Sequence, residues 1–242
     1  SGSMSGTIAA VQQALSMFSN TYSDQEVIQW GLVKGPIEVN NSESLLMATN
    51  LVPFQQFLPV LAGTDTDGTS QEMLYDALFL AIRNLVDPAV LPGLPLAWEN
   101  GISSTPGLDN FTINWREDAK HVVIIFSDEN GQSYTNPEIT QAIITEYADA
   151  ADDLSIYTFS KNVQQAGISG WGPVAHDGEW NPLTSNAMEM FDILMAIIDE
   201  TACGGEDVEE QGAWLNTVPP MDYLLFPYNA GGNNEHRSYM LT

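Results

Sequence analysis

A chain of 242 residues with 32 Asp and Glu against 6 Lys and Arg carries a formal charge of −26; no basic patch can be assembled from it, which argues against nucleic acid and anionic membrane surfaces as partners. The acids are spread along the chain rather than gathered in a tail, and 44% of the residues are hydrophobic, the composition of a folded protein with an acidic surface suited to salty or cation-rich surroundings. The lone cysteine, Cys203, rules out an intrachain disulfide and a thiolate metal site and reads as a small core residue, and no apolar run approaches the roughly 20 residues of a membrane-spanning helix.

The first predicted element is a helix over residues 5–19, where Ile8, Val11, Leu15 and Phe18 recur on one face. Residues 27–33 form a short apolar run that Gly35-Pro36 is expected to end, a buried strand. A second strand is predicted over 44–52, with a helical turn reaching Leu61. Residues 63–68 (GTDTDG) are a polar loop; without an EF-hand pattern, Asp65 and Asp67 read as solvated acids. Residues 70–86 carry a strong amphipathic helix stopped by Asp87-Pro88. Residues 87–117, rich in Pro, Gly and Asn, read as a long insertion.

The cleanest strand lies at 121–126 (HVVIIF), an unbroken apolar run of the kind a parallel strand covered on both faces requires. It runs into the polar loop Ser127-Asp128-Glu129-Asn130-Gly131. Asn136-Pro137 is expected to open a helix to about Asp152. A second buried strand follows at 154–159, then a loop bearing Trp171, His176 and Asp177, a short strand near Trp180 and a helix over 185–202; these four residues could ring a ligand face, but loop packing is the favoured reading of the tryptophans. The stretch 204–242 differs: it is Gly- and acid-rich, with one apolar run at 221–228, and reads as a C-terminal extension. Alternating strands and helices predict an α/β fold with a doubly wound, mainly parallel sheet covered by helices on both faces. Ligands of such sheets sit at the carboxyl ends of the strands.

Three features fall on loops at that end. Ser1 and Ser3 flank a glycine just before the first helix, Glu72 stands in the first turn of the helix containing 75–78 (YDAL), and Asp128 follows the strand 121–126. Each alone has an ordinary reading: a helix cap, a first-turn acid, a turn residue. Together, hydroxyls and carboxylates are the hard oxygen donors that Mg²⁺ or Ca²⁺ takes, and no His/Cys grouping suits zinc.

With SGSM before the first helix, YDAL in the amphipathic helix and a strand ending in FSDENGQ, roughly residues 1–202 resemble the von Willebrand factor A family, and a VWA-like domain is placed over 1–203. The resemblance implies a metal-ion-dependent adhesion site. Ser1 and Ser3 match the two serines of its Asp-x-Ser-x-Ser motif, and Asp128 matches the Asp of its third loop. On the second loop, Glu72 stands where integrin β-subunit–like members carry Glu and most others Thr; Thr69, three residues earlier, competes, and register favours Glu72. The implied cofactor is Mg²⁺ or Ca²⁺, with an open coordination position for a carboxylate presented by a protein or other ligand. The implied setting is extracellular or cell-surface adhesion. Catalysis is not expected, since the chain lacks a Gly-x-Ser-x-Gly elbow, a phosphate-binding Gly loop and a His-Glu-x-x-His motif.

The departure from the family is that its first strand and leading Asp belong before Ser1 and are not found there. Segment 221–228, segment 237–241 or a second polypeptide could fill that central position, or the strand lies outside this sequence; a vector origin for Ser1–Ser3 also stands open. The alternative function is a structural module of a filament or large surface complex, in which a neighbouring chain supplies the strand and the metal site is not essential.

Overall fold

The apolar run at 121–126 sets the architecture. It lies in a strand, Lys120–Ser127, buried throughout after Lys120, so both of its faces need cover. Val122, Ile124 and Phe126 enter one hydrophobic core, and Val123 and Ile125 enter the other, the alternation that a pleated strand imposes. The computed structural model describes residues 4–22, 28–39, 42–63, 73–99, 111–161, 170–203 and 221–227. Along the chain the elements are α1 (Ser5–Tyr22), β1 (Ile28–Val39), β2 (Ser42–Pro53), α2 (Phe54–Ala62), α3 (Leu74–Ile82), β3 (Ala97–Trp98), β4 (Lys120–Ser127), β5 (Thr135–Asn136), α4 (Gln141–Ala150), β6 (Leu154–Ser160), β7 (Trp180–Pro182), α5 (Ala187–Cys203) and β8 (Met221–Pro227).

The main sheet has the order β2-β1-β8-β4-β6-β7. β1 and β2 pair antiparallel; the other neighbours are parallel. The fold is therefore α/β with a mixed, mostly parallel sheet. One face is covered by α1, α2 and α5, which bring Ile8, Leu15, Phe57, Leu61, Leu194 and Ile198 onto Trp30 and Tyr223. Those two rings stack with centroids 4.7 Å apart, and Phe18 and Phe54 meet Trp30 edge-on. The other face is covered by α3 and α4, through residues such as Leu78, Ile82, Ile144 and Ala148. Among the described residues no helix is long and apolar enough to cross a membrane.

Several elements depart from the sequence reading, each for a local reason. β1 continues through Gly35-Pro36 to Val39; its register against β2 shifts between Lys34 and Ile37, so Pro36 falls at an irregularity where its missing N–H removes no regular ladder bond. Asn136-Pro137 does not open a helix. Thr135 and Asn136 instead pair with Trp98 and Ala97, in keeping with the extended preference of a residue before proline. α4 begins only after Thr140, whose hydroxyl accepts a hydrogen bond from the Ile143 N–H. α3 is shorter than expected and tightens into a 3-10 turn, Arg83–Leu85, before Asp87-Pro88; residues 70–72, in the predicted helix start, lie outside the described residues. Within 87–117, Phe111 and Ile113 are buried beside α3, and the Asn84 side chain donates to the Ile113 carbonyl at 2.8 Å. This part of the expected insertion is packed into the fold.

Of the stretch 204–242, Met221–Pro227 is a strand at the centre of the sheet, between β1 and β4 and parallel to both. Tyr223 and Leu225 enter one core and Leu224 the other. The other segment considered for that place, 237–241, lies outside the described residues, as does the polar loop 64–68.

Candidate functional site

The parallel strands end in register. Phe126 of β4 lies beside Pro227 of β8, and Ser127 beside Ser160 of β6. From β8 the sheet runs outward through β1 and β2 on one side and through β4, β6 and β7 on the other. The strand order thus reverses at β8, and the crevice of an open α/β sheet forms at the carboxyl ends of the strands at such a reversal.

Asp128 is the first residue past β4. It is only 5% exposed, so its carboxylate has lost most of its hydration and requires a counter-charge. Lys161, the first residue past β6, places Nζ 3.6 Å from Asp128 Oδ2. Glu129 stands next to it. Burial, and then the charge of Asp128, push the Glu129 carboxyl above its ordinary range, while Lys161 pulls it down. The turn is fixed by Ser127, whose hydroxyl donates to the Glu129 carbonyl at 2.9 Å and accepts from the Glu129 N–H at 3.1 Å.

Neighbouring elements lock this turn in place. The fully buried Trp171 donates from Nε1 to the Glu129 carbonyl at 2.7 Å, and its own carbonyl accepts from Thr158 Oγ1 at 3.0 Å. From the first turn of α3, Tyr75 meets Trp171 edge-on at 5.3 Å and donates its hydroxyl to the Gly170 carbonyl at 3.1 Å. Burial pushes its phenol up to about 12. The backbone N–H of Tyr75 reaches the Gln132 carbonyl. Asp76 beside it takes hydrogen bonds from Ser133 Oγ, the Tyr134 N–H and Thr135 Oγ1. Trp180 donates to Ser160 Oγ at 2.6 Å. Trp171 and Trp180 thus hold the loops together.

Of the five residues singled out for a cation, Asp128 lies just past β4 at the carboxyl edge; Ser1, Ser3, Thr69 and Glu72 lie outside the described residues. The described starts of the two helices that follow them can be located. A Cβ placed on Gly6, in the first turn of α1, would come 3.0 Å from Ser185 Cβ, just beyond β7. Tyr75, in the first turn of α3, packs on the loop after β4. Both helices therefore begin at the edge that bears Asp128. The carboxylates of Asp128 and Glu129 are donors of the hard type that Mg²⁺ and Ca²⁺ take. Among the described residues no group of three His, Cys, Asp or Glu could hold a metal, and these two alone would not complete a coordination shell.

Lys161, Tyr75 and Asp76 were not among the residues singled out from the sequence, whereas Trp171 was, as a residue that packs its loop. Lys161 carried a usable signal: it stands one residue past a buried parallel strand, the same position that singled out Asp128 past its neighbour.

Gly131 offers a direct test of how tightly the loop is held. A Cβ there would overlap the ring of Tyr75, which its hydroxyl bond and Trp171 hold in place. Gly131→Ala is expected to cost roughly 1–3 kcal/mol, read as a lowered thermal midpoint; an unchanged midpoint would mean that the ring moves freely.

No family model, curated protein or solved structure matches the chain.

Proposed function

We propose that this chain is a VWA-like recognition domain that binds Mg²⁺ or Ca²⁺ at the carboxyl edge of its sheet and, through the cation, a carboxylate on a protein or other ligand. The observation that carries this reading is Asp128, a buried carboxylate one residue past a central parallel strand, at the edge where α1 and α3 begin. The rest of the shell is assigned to Ser1, Ser3 and Glu72, with Thr69 as the alternative to Glu72, on the resemblance alone. β8 supports the reading further, because it occupies the central place in the sheet where the family carries its first strand. A chain of charge −26 repels acidic partners, and a bridging cation converts that repulsion into attraction. The setting that goes with this activity is an extracellular or cell-surface protein, and the role is binding rather than catalysis.

The alternative is a structural module of a larger assembly. It calls for a strand donated by a neighbouring chain, whereas between β1 and β4 that position is held by the chain's own Met221–Pro227.

Isothermal titration of chelator-treated protein with Mg²⁺ and with Ca²⁺ tests the proposal. Saturable binding is expected for the wild type, weakened at least about tenfold in Asp128→Ala, as expected for loss of a charged ligand worth over 1.4 kcal/mol. Absence of binding in the wild type would remove the cation site and leave the assembly module as the better reading.

A further inference from the structure

We infer that the ammonium of Lys161 competes with a divalent cation for Asp128, so that the site exchanges a built-in monovalent charge for a bound divalent one. The inference rests on the cation-binding reading above and adds a regulator to it. Lys161 and Asp128 are each the first residue beyond adjacent parallel strands, whose last residues, Ser160 and Ser127, are register partners. The pairing is therefore set by the sheet. Of only six Lys and Arg set against 32 acids, this one is placed 3.6 Å from a buried carboxylate at the carboxyl edge.

The two partners are unequal. Asp128 has a side chain only 3% exposed and sits in a turn pinned by Ser127 and by Trp171. Lys161 has a side chain 56% exposed, on a flexible four-carbon stem that can carry its charge into water at little cost. Ion pairs with such an exposed partner are weak and readily exchanged. Charge balance favours the exchange as well. Lys161 acts on both Asp128 and Glu129, and a dication would meet the same two carboxyls with twice the charge of the ammonium. A dication and the ammonium would repel at that range, so loading the site requires Lys161 to swing out. The lysine then sets the cation concentration at which the domain becomes competent to bind.

The test is isothermal titration of the chelator-treated full chain with Mg²⁺ and Ca²⁺, comparing wild type, Lys161→Met and Lys161→Arg, with thermal melts of each in chelator. Met keeps the length and apolar stem and removes the charge. Lys161→Met is expected to bind the cation about three- to tenfold more tightly than wild type, as removal of a weak competing ion pair and of its repulsion would give. Lys161→Arg, which keeps the charge, is expected to bind no more tightly than wild type. In chelator, Lys161→Met should melt below wild type, with the gap closing when cation is added. If the wild type binds and Lys161→Met binds equally or more weakly, the competition is overturned while the cation site stands. If neither binds, the cation reading itself fails and the competition fails with it.

Discussion

Replacing Arg116 by Met is expected to lower the free energy of unfolding by about 3–5 kcal/mol, as removal of one partner from a buried ion pair does. Asp222 is the second residue of β8 and is fully buried. Arg116 Nε donates to its Oδ1 at 2.7 Å and the Arg116 backbone N–H to its Oδ2 at 2.8 Å. Arg116 Nη2 also donates to the Met221 carbonyl at 2.7 Å. Without the guanidinium, the backbone N–H remains, but a charged carboxylate is left in the middle of the sheet. The reverse truncation is milder, because the Arg116 side chain is 28% exposed and its charge can be hydrated; Asp222→Leu should cost roughly 1–2 kcal/mol. The double variant Arg116→Met/Asp222→Leu should recover most of the loss. Urea midpoints for the four proteins close the cycle, and an Arg116→Met cost no larger than that of Asp222→Leu would show that the Asp222 carboxylate is not left as an uncompensated buried charge. Asp222 lies five residues before Pro227, about 16 Å along the strand, so the cation binding proposed for the other end should survive in any variant that remains folded.

The same aspartate shows where reading the sequence stopped. The strand at 121–126 was legible because after His121 the run is unbroken apolar, and the one at 154–159 because Leu154, Ile156, Tyr157 and Phe159 crowd a short segment with only Ser155 and Thr158 between them. The first helix was legible because Ile8, Val11, Leu15 and Phe18 repeat at helical spacing, and all four are buried. The apolar run at 221–228 was equally visible, but its place was not. Which strands become neighbours is a non-local matter, and an Asp at its second position argues against a central strand until Arg116, 106 residues away, neutralises it. Asp128 could be found as the polar residue that follows a buried strand. Trp171 was read as packing its loop, but Asp76 could not be placed, because an acid in the first turn of an amphipathic helix has an ordinary exposed reading. Asp76 is buried only because the segment 133–135 folds over it.

Asp76→Asn is expected to flatten the stability of the protein between pH 4 and pH 7 relative to wild type, and to raise stability at pH 7 by roughly 1–3 kcal/mol. Burial pushes the Asp76 carboxyl from its ordinary 3.8 up to about 6, against the lowering effect of its bonds from Ser133, Tyr134 and Thr135; the charge of Glu99 adds a smaller upward push. With a folded value above the unfolded one, the native state holds the extra proton between those limits. The contribution of Asp76 is therefore fully present below about pH 4 and is lost as pH rises through about 6. Asparagine resembles the protonated acid: its carbonyl can accept from the Tyr134 N–H while its amide donates toward the two hydroxyls. Thr135 Oγ1 already has a second acceptor in the Pro137 carbonyl at 3.0 Å, so the rearrangement leaves no hydroxyl stranded. Asp76→Ala, by contrast, orphans the Tyr134 N–H and should cost about 1–3 kcal/mol at pH 4, shrinking toward neutrality as the wild type loses its own advantage. Other carboxylates titrate in the same range, so the informative quantity is the difference between variant and wild type at each pH, from denaturant unfolding. Parallel profiles for wild type and Asp76→Asn would show that the carboxylate stays ionised throughout, held by its three donors. Diverging profiles would mean that the loop after Asp128 is tied to α3 by a protonated acid, and that its grip loosens as the solution becomes neutral.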